Sequence, residues 1–356
     1  MSKYLYLIGV SIAFCAILTS CNKKPNSDPL KNFKTEDTLT VSRIIDLEDY
    51  SVLNPQDAVK YKKGYVIRDM VETGILKYVK LNNNNNNNNK TVISGVSRGN
   101  GPGEMTIATN LQVNDDKVIL SDPNKNTIYS AEITNDSISL KKYHKSKIHF
   151  ISFKMFENKK LITVFGNDPS KIKYGHNSWC LLVDNNDSVL SSIKYPQYFN
   201  KYPDVSKQML FANTYFTIKP DHKKLAVINS FQSLISFADI NGSKLHDYKS
   251  VMYYPPEISI EAGNAVAYRK EGKYAFKSVV SDDSYVYVLY SDKTFLKDRF
   301  DASYCPHILV YNWNGNPVKK YKLRKHLSTL GIDRDRGILY GIGRNYTLVE
   351  YESPGK

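Results

Sequence analysis

His307-Ile-Leu-Val-Tyr-Asn-Trp-Asn-Gly-Asn-Pro-Val-Lys-Lys-Tyr321 reads as a β-hairpin: a run of β-branched and aromatic residues, an Asn-Gly turn, and a second run ending in Lys and Tyr. Asn-Gly at such a turn supplies the positive backbone φ that tight hairpins require. Three earlier stretches repeat the pattern with Asn, Asp or Gly at the turn: Thr127 to Tyr143, Trp179 to Tyr195 and Leu234 to Tyr248. The four turns fall near positions 136, 187, 242 and 315. Spacings of about 51, 55 and 73 residues fit a four-stranded unit with loops of growing length.

Two further short strands precede each hairpin. They are Asn110 to Val113 with Lys117 to Ser121, Ile148 to Phe153 with Lys160 to Phe165, Tyr215 to Lys219 with Lys224 to Asn229, and Phe276 to Ser281 with Tyr285 to Tyr290. Tight polar links such as Asn114-Asp-Asp and Pro220-Asp-His mark the turns between members of a pair. Four antiparallel strands per repeat predict the blade of a β-propeller. An earlier blade follows from Asp57 to Tyr61, Gly64 to Asp69, Ile75 to Leu81 and Thr91 to Val96, with the tract Asn82 to Asn89 as a solvated loop at its outer turn. At the C-terminus three strands, Ser328 to Asp333, Gly337 to Gly341 and Tyr346 to Glu350, lack a fourth, whereas Thr38 to Leu47 is an orphan strand with alternating apolar residues. Pairing the orphan with Tyr346 to Glu350 completes a sixth blade and leaves no open sheet edge. The expected fold is therefore an all-β, six-bladed β-propeller over residues 38–352, closed by an N-terminal strand. The stretches 196–214 and 252–273 read as loops.

Ahead of the propeller, Lys3 supplies a positive start, Tyr4 to Leu18 is an apolar run of signal-peptide length, and Leu18-Thr19-Ser20-Cys21 ends it. This segment resembles the bacterial lipoprotein lipobox, which implies cleavage before Cys21 and lipid on its sulfur and new amino group. Two or three acyl chains exceed what stable membrane anchoring requires. An ordinary secretory signal with an incidental Cys21 is the alternative. Residues 1–20 are thus expected to be a lipoprotein signal peptide and 21–37, rich in Lys, Asn, Pro, Ser and Asp, a flexible tether. The expected location is the cell envelope, lipid-anchored at the outer membrane, with the periplasmic and surface faces both open.

The chain of 356 residues carries 49 Lys and Arg against 35 Asp and Glu, a formal charge of +14. Its basic residues are scattered without a block of five or more, so no nucleic-acid partner is expected. Of four cysteines, Cys15 leaves with the signal and Cys21 carries lipid, which leaves Cys180 and Cys305 as either a disulfide or two buried thiols. No zinc-type Cys/His spacing occurs, and neither a metal nor a cofactor is expected. The protein is expected to act as a monomer.

Arg98-Gly-Asn-Gly-Pro-Gly-Glu104 links the first full blade to the second. Here the chain resembles the TolB-like six-bladed propeller lipoproteins of gut-type Gram-negative bacteria, which often carry Gly-x-Gly-Pro-Gly-Glu at this place. Gly99, Gly101, Pro102, Gly103 and Glu104 match it, and Ser121-Asp122-Pro123-Asn124 with Asn126 and Ile128 looks like the signature of NHL-type blades. The resemblance implies a six-bladed propeller and an envelope location, and no established reaction. Read from the residues, the Arg98 to Glu104 stretch either forms an anion nest of backbone N–H groups or simply shapes the crossover.

Candidate ligand-binding residues are accordingly Arg98, Gly101, Gly103 and Glu104; Tyr202, Tyr268 and Arg269 on the two longest crossovers; and Asp168, His176 and Arg299 on links between second and third strands. Aromatic rings suit sugar or peptide stacking and arginine suits a carboxylate. No nucleophile-elbow motif or compact catalytic constellation is present, so no catalytic residue is nominated. The expected function is a ligand-binding or protein-interaction module whose partner is an envelope protein, peptide or glycan. A hydrolase or lyase with its site at the channel mouth is the alternative.

Overall fold

The computed structural model describes residues 28–81, 91–164, 178–261, 265–268 and 272–352. Two short strands come first, β1 (Glu36–Thr38) and β2 (Val41–Asp46). Four antiparallel strands, β3 (Pro55–Tyr61), β4 (Gly64–Asp69), β5 (Thr73–Lys80) and β6 (Thr91–Ser97), then form the first blade. The second is β7 (Thr109–Asn114), β8 (Lys117–Asp122), β9 (Thr127–Ile133) and β10 (Ile138–Lys145). β11 (Phe150–Phe156), β12 (Lys159–Val164), β13 (Ser178–Asp184) and β14 (Val189–Lys194) make the third. The fourth has β15 (Thr214–Ile218), β16 (Lys224–Asn229), β17 (Leu234–Asn241) and β18 (Lys244–Met252). A separate hairpin, β19 (Ile258–Glu261) with β20 (Ala265–Tyr268), precedes the fifth blade. That blade is β21 (Phe276–Ser281), β22 (Tyr285–Tyr290), β23 (Cys305–Asn312) and β24 (Pro317–Leu327). The sixth is β25 (Gly331–Asp333), β26 (Ile338–Gly343), β27 (Thr347–Glu352) and, outermost, β2.

Ring closure is therefore made by the N-terminal strand, with Val41 opposite Tyr351 and Asp46 opposite Thr347. Packing gives the same answer independently. The six hydrophobic clusters among the described residues each sit between two neighbouring blades, including one that joins Ile45, Tyr340 and Leu348 of the sixth blade to Val52, Tyr65 and Ile67 at the first.

Alternation within the middle strands explains why the sequence makes blades. In β22, Val286, Val288 and Tyr290 enter the core against blade four, while Tyr287 and Leu289 enter the core against blade six. Successive side chains point to opposite faces of a strand, so a strand covered on both faces reads as a continuous apolar run. β16 behaves the same way, with Leu225 and Val227 on one side and Ala226 and Ile228 on the other.

Two expectations change. Residues 28–37 fold onto the propeller where a tether was expected. Asp28 caps the 3-10 turn Pro29–Asn32 through Leu30 N at 3.0 Å, and Phe33 is buried between blades four and five, edge-on to Tyr311 at 5.2 Å. β1 then adds in parallel to β24, covering the outer edge of blade five. The supposed loops also carry structure. Between blades three and four lie a 3-10 turn at Gln197–Lys201 and helix α1 (Asp204–Phe211), whose Leu210 and Phe211 pack with Phe199 into the inter-blade core. Cys180 and Cys305 are both free and buried, one in the core between blades three and four and the other between five and six. Asn82 to Asn89 lie outside the described residues.

Candidate functional site

The innermost strands of all six blades surround a central channel of about 630 Å³. Lateral hydrogen bonds fix these strands to one another. Asn110 Nδ2 donates to the Ile151 carbonyl at 2.8 Å, the Thr217 and Ser281 hydroxyls meet at 2.8 Å, Ser278 Oγ donates to the Leu330 carbonyl at 3.2 Å, and Lys60 N donates to the Tyr340 hydroxyl at 2.7 Å. Each joins a different pair of neighbouring blades, so the channel has a frame that packing alone does not supply.

A second cavity of about 510 Å³ opens on the face where the blade-to-blade crossovers run. Asp57, Arg68, Tyr215 and Ser278 line both cavities and form the throat between them. The mouth above the throat is walled by Leu53, Phe300, Tyr304, Tyr346 and Lys277. Phe300 is 75% exposed, and it is carried there by an insertion between β22 and β23 that contains the short helix α2 (Phe295–Asp298).

Charges in the channel are poorly matched. Asp57 and Arg68 face each other across the β3–β4 pair, yet the Asp57 carboxylate accepts from its neighbour Ala58 N at 2.9 Å and Arg68 Nε is buried with no hydrogen-bond partner among the described residues. A buried N–H left so costs about 1–3 kcal/mol. Burial pushes the Asp57 carboxyl above its usual range, with Arg68 and Lys154 partly offsetting it. Burial also pushes the Lys154 ammonium down to about 8, and the Arg334 charge acts in the same direction. Arg334, on the turn after β25, donates through Nε to the Ser281 carbonyl at 2.9 Å. Tyr215 is 39% exposed although it sits inside the ring, because the surface it exposes faces the channel.

Those residues nominated from sequence that the structure describes lie elsewhere. Glu104 folds back over its own loop, accepting from Gly101 N at 2.7 Å, while a Cβ at Gly99 would meet Glu104 Oε2 at 2.1 Å. Gly103 is needed for its φ of +76°. The candidate anion nest is thus filled by the chain's own carboxylate, and this stretch shapes the crossover. Arg98 reaches Glu72 at 3.5 Å on the surface and borders a cleft of about 70 Å³. Tyr202 packs with Tyr198 and Phe199 in a small aromatic cluster on its crossover, and Arg299 is exposed with a φ of +46° at the end of α2. Tyr268 lies in β20. Cys21, Asp168, His176 and Arg269 fall outside the described residues. Channel residues escaped notice because they come mainly from the innermost strands of six separate blades, and their one local signal is a polar residue such as Asp57 or Lys154 within such a strand.

Six antiparallel blades, a ring closed by the N-terminal strand and a solvent-lined channel define a six-bladed propeller. A family profile described as TolB-like 6-blade propeller-like matches residues 85–335, and the chain belongs to that family. No curated protein matches the chain. Among solved structures, a calcium-binding regucalcin from Agrobacterium tumefaciens shares 11% identity, covering 90% of this chain and 98% of that one with a TM-score of 0.50. A gluconolactonase from Xanthomonas campestris shares 10%, covering 89% and 95%, with a TM-score of 0.50. A member of the DUF4221 family from Bacteroides vulgatus shares 8%, covering 88% and 96%, with a TM-score of 0.51. At such identity the likeness extends to the fold alone.

Proposed function

We propose that this protein is a lipid-anchored propeller of the cell envelope that binds a ligand through its central channel and acts there as a binding or interaction module. The observation that carries the reading is the throat of Asp57, Arg68, Tyr215 and Ser278, which joins a framed channel to an aromatic mouth on the crossover face. Ligand sites in folds of this kind are preformed concavities with a few polar groups among apolar walls. The candidate ligands remain an envelope protein segment, a peptide or a glycan small enough to enter the mouth.

A resident calcium ion, such as the regucalcin name implies for that protein, does not suit this channel. Calcium takes six to eight oxygen ligands, several of them carboxylates, whereas Asp57 here stands among Arg68, Lys154 and Arg334. Among the described residues no group of three or more His, Cys, Asp or Glu is placed to hold a metal.

Hydrolase or lyase chemistry is the second reading, and one observation favours it. Asp57 is held above the usual carboxylate range beside Lys154, whose ammonium is pushed down to about 8, and opposed shifts of this kind characterise acid/base pairs. Incubating the full chain carrying Cys21→Ser with lactones, esters and glycosides separates the readings. The binding module leaves all of them intact, and turnover abolished by Asp57→Asn overturns it in favour of the enzyme.

Lipid anchoring rests on Leu18-Thr19-Ser20-Cys21. Labelled palmitate is expected to enter the wild-type protein and not the Cys21→Ala variant, and equal labelling of the two would contradict the anchor.

A further inference from the structure

Arg68, Lys154 and Arg334 line the channel together, and among the described residues neither Arg68 nor Lys154 has a carboxylate within ion-pair distance. Three carboxylates also line it. Asp333 is bound by Arg336 at 2.6 Å, Asp335 lies on the exposed turn after β25, and Asp57 is left as the one carboxylate at depth. Lys60 is engaged by the Lys62 carbonyl. The depth of the channel thus holds more cation than anion, and Lys277 adds another positive group at the mouth, its ammonium 4.5 Å from the Tyr274 ring centre. A planar guanidinium with a free N–H is suited to a carboxylate or phosphate group. Above it, Leu53, Phe300, Tyr304 and Tyr346 offer apolar surface, with the Phe300 and Tyr304 rings edge to face at 5.4 Å.

We propose that the ligand is an organic anion with an apolar body, its carboxylate or phosphate group held between Arg68 at the throat and Lys154 in the channel below it, and its body lying against the aromatic mouth. This rests on the reading of the channel as the binding site and adds the chemistry of what enters it. Arg68 Nε gains the acceptor that the protein itself does not provide. Lys154 keeps its proton more firmly once an anion sits beside it. The mouth explains why a bare inorganic ion is a poor occupant, since Phe300 and Tyr346 would remain open to water.

Calorimetric titration of the full-length Cys21→Ser protein with 2-naphthoate, 2-naphthyl phosphate and uncharged 2-naphthamide tests the proposal. One or both anions are expected to bind saturably at one site, with the amide at least 10-fold weaker. The better anion identifies the head group. Arg68→Gln is expected to weaken the anions 10-fold or more and leave the amide unchanged, with a cooperative thermal transition retained. Equal affinity for the amide and the better of the two anions would overturn the anion class while leaving the channel as a binding site. Absence of saturable binding by all three would overturn the proposal, and the accessibility of the channel is then judged separately by thiol labelling of a Ser278→Cys variant.

Discussion

Asp187→Asn is expected to destabilise the propeller by about 3–5 kcal/mol, the range seen when one partner of a buried ion pair is removed. Asp187 sits at the β13–β14 turn and receives Lys160 Nζ at 2.8 Å, with the side chains of the two residues 1% and 3% exposed. His144 Nε2 from the second blade lies 2.9 Å from the same carboxylate, and Lys147 N, from the crossover between the blades, donates to it at 2.8 Å. One carboxylate therefore ties blade two to blade three. Asparagine tolerates the left-handed backbone here, φ +66°, so the substitution isolates the charge from the turn. Lys160→Met in the Asp187→Asn background should recover much of the loss, because the uncompensated lysine is what makes the single variant costly. Urea denaturation of the single and double variants measures both effects.

The same carboxylate sets an acid limit. Burial opposes its charge, but the hydrogen bonds from Lys160, the Lys147 N–H and His144 outweigh that and hold its pKa below the ordinary value. A depressed folded-state pKa contributes stability that is fully present above the unfolded value, about 3.9, and is lost as pH falls through the folded one. Stability should therefore fall below about pH 4 in the parent and show a shallower fall in Asp187→Asn.

Glu350→Ala is the second large effect, expected at roughly 2–4 kcal/mol. Glu350, on β27 and 2% exposed, accepts from the buried Tyr65 hydroxyl of blade one at 2.6 Å and from Arg336 Nη2 at 3.3 Å, with Arg43 of the closing strand 3.8 Å away. It thus joins the last blade, the first blade and the N-terminal strand at the point where the ring closes. Removing it leaves the Tyr65 phenol buried without its carboxylate acceptor and Arg336 with Asp333, at 2.6 Å, as its one remaining carboxylate among the described residues. Tyr65→Phe, which deletes one hydroxyl and keeps the ring packed on Tyr340, should lose only about 1 kcal/mol in the same denaturation assay.

The blades were legible because their chemistry is local. Tyr285 to Tyr290 alternates into two cores, and Asn314-Gly315 turns its hairpin with a φ of +70° at the glycine. Closure was legible from an orphan strand and an incomplete blade. β1 was not, since Glu36-Asp37-Thr38 is exposed throughout and has no apolar alternation to betray a strand. Helix α1 was missed because its eight residues are too few to show a helical period, and the buried Leu210 and Phe211 stand next to each other. The site was least legible. Asp57, Lys154, Tyr215 and Ser278 lie on four different innermost strands, and only ring closure brings them together. The conspicuous Arg98 to Glu104 loop, by contrast, turned out to spend its glycines on accommodating Glu104.

Thiol labelling at the throat tests the open, cationic channel most directly. In Ser278→Cys, made in a Cys15→Ser/Cys21→Ser background, the new thiol faces both cavities, while Cys180 and Cys305 are fully buried with thiols pushed up to about 12 and stay silent. Rates of modification by a negatively charged and a positively charged methanethiosulfonate of similar size are compared under native conditions. The introduced thiol is expected to react with both and faster with the anionic reagent, the preference shrinking when Arg68→Gln is added. No reaction until the protein is unfolded, or a preference for the cationic reagent, would contradict an open, cationic channel.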